Sequence, residues 1–330
     1  MDKAIPTTLV KRFSFFLAVL VFSFSCRTIS QKQFVSPEKH GTGHILHDSI
    51  ERSYLFFVPS SNNFARHPIL IVLHGGGGSG EGMVYLTRFS DYAKDHEFIV
   101  IYPNGFKNRW NDGRNLKTET DLKKTDDVGF ILKIVNSIVE HYNGDPNRVY
   151  ITGLSNGGFM SYRFLCEESN RISGIAPVAA GISIPLSEKC NIQNPKPFLL
   201  VQGKKDQVVP YSGGEVNTIF GKMGFTLSHD ATMDFILQKY GCKEFVQDVI
   251  PVLKGSGMID RRKGVDCRNS VRVESLSLPE SGHIWPHGWY YKSKLDYGYL
   301  SNDLDATKTI LDFFHISAKP QKQLGYHLEK

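Results

Sequence analysis

RVYITGLSNGG, Arg148 to Gly158, is the stretch on which the fold turns. Its first half is β-branched and aromatic, which is the composition of a strand. Its second half holds Gly-x-Ser-x-Gly at Gly153, Ser155 and Gly157, and Gly157 to Leu165 reads as a helix. The pattern alone is weak, because a chain of this length and composition meets it by chance roughly 0.2 times. Its place between a strand and a helix gives it meaning. A serine on so sharp a turn is held strained, and flanking glycines let the turn close because they lack side chains. The Ser155 hydroxyl then stands above the C-terminal edge of a sheet, where a nucleophile belongs. A purely structural turn serine is the alternative.

Outward from this turn, strands alternate with helices. Pro68 to Leu73 (PILIVL), Glu97 to Tyr102, Ile175 to Val178 and Phe198 to Val201 are unbroken apolar runs, suited to strands buried on both faces. Ser53 to Val58 and Val271 to Leu276 are further strands. Asp126 to Tyr142, His229 to Tyr240 and Leu304 to His315 carry apolar residues at helical spacing. Asp126 and Asp127 stand where a helix dipole favours acid, and read as an acid pair holding nearby loops. This order predicts an α/β fold, a mostly parallel central sheet flanked by helices in three layers. The expected organisation is a signal peptide at 1–25, a linker at 26–43, one catalytic domain at 44–317 and a flexible tail at 318–330. Gly241 to Asn269 shows little periodicity and reads as an insertion in that domain.

Three further segments complete the chemistry. His74-Gly75-Gly76-Gly77-Gly78 follows PILIVL. Acyl transfer builds negative charge on a carbonyl oxygen, and fixed main-chain N–H groups stabilise it. A His-Gly-Gly-Gly loop after an early strand supplies such donors in esterases. Gly75, Gly77 and Gly80 also satisfy Gly-x-Gly-x-x-Gly, but an export signal argues against a nicotinamide cofactor. Asp206, in GKKDQVVPY, follows the strand PFLLV. His283, in SGHIWP, follows the strand VRVESL. Alone, each is an ordinary loop residue. Together, Ser155, Asp206 and His283 give the chain order Ser, Asp, His of α/β-hydrolases, each after its own strand. Ser155 is the expected nucleophile, His283 the base, and Asp206 the acid that orients it. The expected oxyanion donors are the N–H of Gly75 or Gly76 and that of Asn156. Trp110 and Trp285 are candidates for an acyl or sugar pocket, since tryptophan stacks on rings.

The chain has 330 residues and a net charge of +6, but its basic residues are scattered, which speaks against nucleic acid as a partner. Lys11-Arg12 precede an apolar run from Phe13 to Phe24, then Ser25-Cys26, as in an export signal. The Cys resembles the lipidated first residue of a bacterial lipoprotein, which would anchor the chain to a membrane. Ser23 replaces the usual Leu, and Ser23 with Ser25 also fits a simple secretory cut. Of the later cysteines, Cys166, Cys190, Cys242 and Cys267, an even set in an exported chain, three disulfide pairings are possible. Pairing of sequence neighbours, Cys166–Cys190 and Cys242–Cys267, is the simplest, and buried free thiols are the alternative. No Cys-x-x-Cys suggests zinc.

These motifs, with Tyr102-Pro103-Asn104-Gly105, Trp110-Asn111-Asp112 and Asp126-Asp127-Val128-Gly129-Phe130, resemble the polyhydroxybutyrate depolymerase and feruloyl esterase family, related to carbohydrate esterase family one. The resemblance runs from about His44 to about Phe314. It implies hydrolysis of feruloyl or acetyl polysaccharide esters, polyesters or small aryl esters, without metal or organic cofactor. It also favours the Cys242–Cys267 pairing. Two rival functions remain open: a serine peptidase of similar fold, and a catalytically silent surface protein that binds ligands in the same cleft.

Overall fold

A computed structural model describes residues 40–60, 65–114, 116, 125–219, 221–288 and 302–316. The expected signal peptide, Cys26 and the 318–330 tail lie outside these residues. Among the described residues, no helix is long and apolar enough to cross a membrane.

The described residues form twelve strands: β1 (His40–His47), β2 (Ile50–Phe57), β3 (His67–Leu73), β4 (Ile99–Pro103), β5 (Gly144–Leu154), β6 (Gly174–Val178), β7 (Phe198–Gly203), β8 (Gly214–Thr218), β9 (Gly221–Thr226), β10 (Glu244–Pro251), β11 (Met258–Val265) and β12 (Val273–Leu278). Ten form one sheet in the order β1-β2-β4-β3-β5-β6-β7-β12-β11-β10. The six central strands, β4 to β12 in that order, run parallel, and the pairs at both edges are antiparallel.

The helices are α1 (Gly80–Thr87), α2 (Phe89–His96), α3 (Asp127–His141), α4 (Asn156–Glu167), α5 (Ile184–Ser187), α6 (His229–Tyr240) and α7 (Ala306–Phe314). Strand alternation sorts the core into two layers. Ile69, Ile71 and Leu73 of β3 face one cluster with Ile131 and Ile134 of α3, Phe164 of α4 and Ile236 of α6. Leu70 and Val72 face the other, with Met83 of α1, Phe89 of α2 and Ile310 of α7. The continuous apolar runs are therefore strands covered on both sides, and the architecture is the three-layer α/β arrangement.

Two boundaries differ from those expected. His40–Gly43, expected to be the end of a linker, already lie in β1. The pattern of β1 is mostly polar because it is a half-exposed edge strand. Residues 241–269 are not an irregular insertion: β10 and β11 form a hairpin that continues the central sheet beyond β12. Both cysteine pairs are disulfides, Cys166–Cys190 and Cys242–Cys267. The first ties the end of α4 to the loop before β7, and the second ties the loop after α6 to the end of the hairpin.

Candidate active site

The turn between β5 and α4 is strained as its sequence implied. Ser155 has φ 54° and ψ −115°, a conformation that costs a non-glycine residue about 1–3 kcal/mol. The surroundings hold it there. The Ser155 N–H donates to Val178 O at 2.9 Å, and Ser155 O accepts from Phe159 N–H at 2.9 Å. The turn also needs its glycines. A Cβ on Gly157 would run into the main chain of Leu73, and one on Gly153 would stand 2.5 Å from the main chain of Gly157.

Asp206 lies just beyond β7, and its two oxygens have separate tasks. Oδ1 accepts from the N–H groups of Val208 and Val209 at 2.9 and 2.8 Å, as a turn aspartate does. Oδ2 stands 2.9 Å from Nδ1 of His283. Both side chains are buried, so the pair is shielded from water. The loops that carry them are joined: Lys204 N–H donates to Leu278 O, and Lys205 N–H to Ser281 O. A Cβ on Gly203 would overlap Ser281, so glycine is what allows this close approach. Ser155, Asp206 and His283 thus follow β5, β7 and β12, all at the same end of the parallel strands. Among the described residues no hydrogen bond joins the Ser155 hydroxyl to His283. Bonds of this kind are commonly long in a free enzyme and tighten with substrate.

The glycine loop lies against the turn. A Cβ on Gly75 would stand 3.7 Å from Ser155 Cβ, and one on Gly76 would stand 3.8 Å from Asn156 Cβ. His74 shapes this loop. Its Nε2 accepts from Gly105 N–H at 2.9 Å, so its proton sits on Nδ1, which donates to Gly75 O at 2.7 Å. Gly78 N–H also donates to Gly75 O. With that carbonyl held, the planar peptide aims the Gly76 N–H the opposite way. Burial lowers the His74 pKa to about 4, so the ring stays neutral and keeps this tautomer. Among the described residues, the N–H groups of Gly75, Gly76 and Asn156 meet no protein acceptor. Asn156 is the first residue of α4, where helix geometry leaves the N–H open.

The two tryptophans do not line an open pocket. Trp285 is 0% exposed; it packs edge-on against Phe89 and donates its Nε1–H to Thr307 Oγ1 at 3.1 Å. His283 meets Asp206 while Trp285, two residues on, enters the core against α7. Trp110 is 1% exposed and sits behind the glycine loop, with Nε1–H donating to His74 O at 2.8 Å.

A polar network whose partners no sequence motif announces surrounds Trp110. The Asn156 side chain accepts from Trp110 N–H at 2.8 Å through Oδ1 and donates to Trp110 O at 3.1 Å through Nδ2. Nδ2 also meets Asp112 Oδ2, and Arg114 pairs with both oxygens of Asp112. Asp127 accepts from Asn111 N–H at 2.6 Å and ion-pairs with buried Arg52. The acid pair at the head of α3 is thus structural, as its position implied: Asp126 caps the helix through Gly129 N–H. The Trp110-Asn111-Asp112 spacing was the available signal, but nothing local says which distant residue it holds.

One group of described residues has metal-ligand chemistry: His47, Asp48 and Asp126. Asp126 is already engaged as the helix cap, and His47 Nε2 is its partner at 3.0 Å, which accounts for the grouping without a cation.

The chain is similar in sequence and fold to known proteins. Residues 52–169 match the family model described as Esterase PHB depolymerase. The putative esterase NocK of Nocardia uniformis subsp. tsuyamanensis is 27% identical over 259 residues, covering 74% of this chain and 73% of that protein. Feruloyl esterase B of Thermothelomyces thermophilus is 36% identical over 117 residues, covering 33% of this chain and 40% of that protein. Among solved structures, an acetyl xylan esterase from Aspergillus awamori superposes with a TM-score of 0.54 at 13% identity, over 84% of this chain and 100% of that one. At that identity the likeness concerns the fold alone. Over residues 52–169 the chain is therefore similar to the esterase PHB depolymerase family, its fold is that of α/β-hydrolases, and the relatives it matches are named as esterases.

Proposed function

We propose that this protein is an exported serine carboxylic-ester hydrolase that uses Ser155, His283 and Asp206. Its substrates are feruloyl or acetyl esters on polysaccharides, or hydroxyalkanoate esters. The observation that carries the reading is the buried Asp206–His283 pair at the same end of the sheet as a serine held at positive φ. Ser155 attacks the ester carbonyl while His283 takes its proton. The N–H groups of Asn156 and of Gly75 or Gly76 receive the charge that develops on the carbonyl oxygen. His283 then protonates the leaving alcohol, and water, activated by the same imidazole, resolves the acyl-enzyme. Asp206 keeps the imidazole proton on Nδ1, which leaves Nε2 able to accept. No metal or organic cofactor enters this sequence.

Two disulfides support export, since such bonds persist in oxidising compartments. Lipid attachment at Cys26 is the anchoring route we favour, and the intact mass of protein from bacterial membranes tests it. A mature chain cut without lipid would leave simple secretion. The activity is tested with p-nitrophenyl acetate and butyrate, methyl ferulate, acetylated xylan, polyhydroxybutyrate and a peptide panel. Ester turnover that Ser155→Ala abolishes supports the proposal. Peptide cleavage without ester cleavage, or no turnover of any substrate, overturns it.

A further inference from the structure

We propose that Trp110 is a positioning residue that sets the spacing of the two main-chain donors for the oxyanion. The inference rests on the ester-hydrolase reading above. An oxyanion hole works only if both N–H groups stand about 3 Å from the same point in space. Here the donors come from separate elements, the glycine loop after β3 and the first turn of α4. Something must fix the distance between them.

Trp110 bonds to both sides. Its ring end holds the loop: Nε1–H donates to His74 O at 2.8 Å, and the indole packs against the His74 ring with centroids 4.8 Å apart. Its main-chain end holds Asn156: the N–H donates to Oδ1 at 2.8 Å and the carbonyl accepts from Nδ2 at 3.1 Å. Residue 110 is therefore one rigid strut between the two donor-bearing residues. The strut is itself fixed. Asn156 Nδ2 is shared with Asp112, which Arg114 holds through both carboxylate oxygens, and Arg114 reaches Met223 O at 3.0 Å. Asn156 thus has two tasks, a main-chain N–H for the oxyanion and a side chain that grips the strut. Trp110 touches neither substrate nor reacting atoms and acts through the placement of both donors.

The test is a double-mutant cycle with a transition-state probe. Trp110→Phe cuts the ring-end hydrogen bond, and Asn156→Ala cuts the main-chain end while leaving the Asn156 N–H donor in place. Each is expected to lower kcat on p-nitrophenyl acetate roughly 10- to 100-fold, because displacements near 1 Å cost up to that factor. KM is expected to stay within about twofold, since ground-state binding does not use the hole. Inhibition by phenylboronic acid, whose tetrahedral adduct places an oxygen in the hole, is expected to weaken by a factor similar to the loss in kcat. Cutting a strut at one end or both ends releases the same constraint, so the double variant is expected to be no worse than the poorer single. Wild-type kcat in folded Trp110→Phe overturns the inference, as does a rise in KM alone or a double variant whose losses multiply. If Trp110→Phe does not fold, Asn156→Ala reads the same constraint from the other end. Ser155→Ala, assayed alongside, separates the failures. If it keeps turnover, the nucleophile reading falls and takes this inference with it. If it is inactive while Trp110→Phe and Asn156→Ala turn over normally, only this inference falls.

Discussion

Replacing Asp206 by Asn changes one oxygen to an amide nitrogen, and the structure fixes which one. Oδ1 accepts from Val208 and Val209 N–H, so an amide NH2 placed there would face two donors. The Asn side chain must therefore keep its oxygen on those amides and turn its NH2 toward His283 Nδ1. That nitrogen then has to accept, so the imidazole proton moves to Nε2. An imidazole protonated on Nε2 cannot take the proton of Ser155. The charge that favoured the imidazolium is lost as well, in a site where both side chains are buried. Together these effects lower kcat by about three to four decades, equivalent to about 4–5.5 kcal/mol. The two turn bonds to Oδ1 survive, so the melting temperature changes little. KM on p-nitrophenyl butyrate stays within a few-fold. Steady-state kinetics and a thermal melt on the same preparation check this. A folded Asp206→Asn variant with kcat within tenfold of wild type would refute the assignment of Asp206.

Three further outcomes follow from the geometry. Replacing Cys242 and Cys267 together by Ala removes a bridge between residues 25 apart in sequence; urea unfolding is expected to show a loss of about 3.5 kcal/mol, and an unchanged midpoint would contradict it. Trp285→Phe deletes the donor to Thr307 in the core, so it is expected to lower the melting temperature and leave KM unchanged for methyl ferulate; a selective rise in KM would return Trp285 to the substrate pocket. Burial lowers the pKa of His229 to about 3 and that of His74 to about 4, whereas the unfolded chain protonates histidine near pH 6.5. Below pH 6.5 the unfolded state binds more protons, so the stability from these neutral rings is complete above that pH and declines as pH falls toward 4. Each ring contributes a slope of about 1.4 kcal/mol per pH unit, and His229→Gln is expected to remove one such slope between pH 6 and 4.5. An identical acid profile in the variant would contradict the buried neutral state.

The parts of the fold that the sequence discloses are those where one physical requirement dominates. PILIVL and PFLLV are apolar throughout because β3 and β7 are covered on both faces. The serine turn is legible because its geometry demands small residues at fixed positions. The hairpin β10–β11 is hidden because edge strands expose side chains: Phe245, Val249 and Met258 are about half exposed among charged neighbours, so no clean alternation forms. The β8–β9 hairpin is short and rich in glycine, and α1 and α2 are only eight residues each, too short for a firm helical period. At the site, Asp206 and His283 could be found from chain order, because each strand end in such a sheet delivers one residue. The tasks of Trp110 and Trp285 could not. A buried indole satisfies its N–H through whichever acceptor the tertiary packing brings near it, here His74 O and Thr307 Oγ1.

The nucleophile is the centre of this account, and covalent labelling tests it most directly. The purified protein is treated with a fluorophosphonate, digested and mapped by mass spectrometry while esterase activity is followed. One adduct is expected, on the peptide that contains Ser155, formed in step with loss of activity and absent from Ser155→Ala. An adduct on any other residue, or full ester hydrolysis by a protein whose Ser155 is modified or replaced, would contradict it.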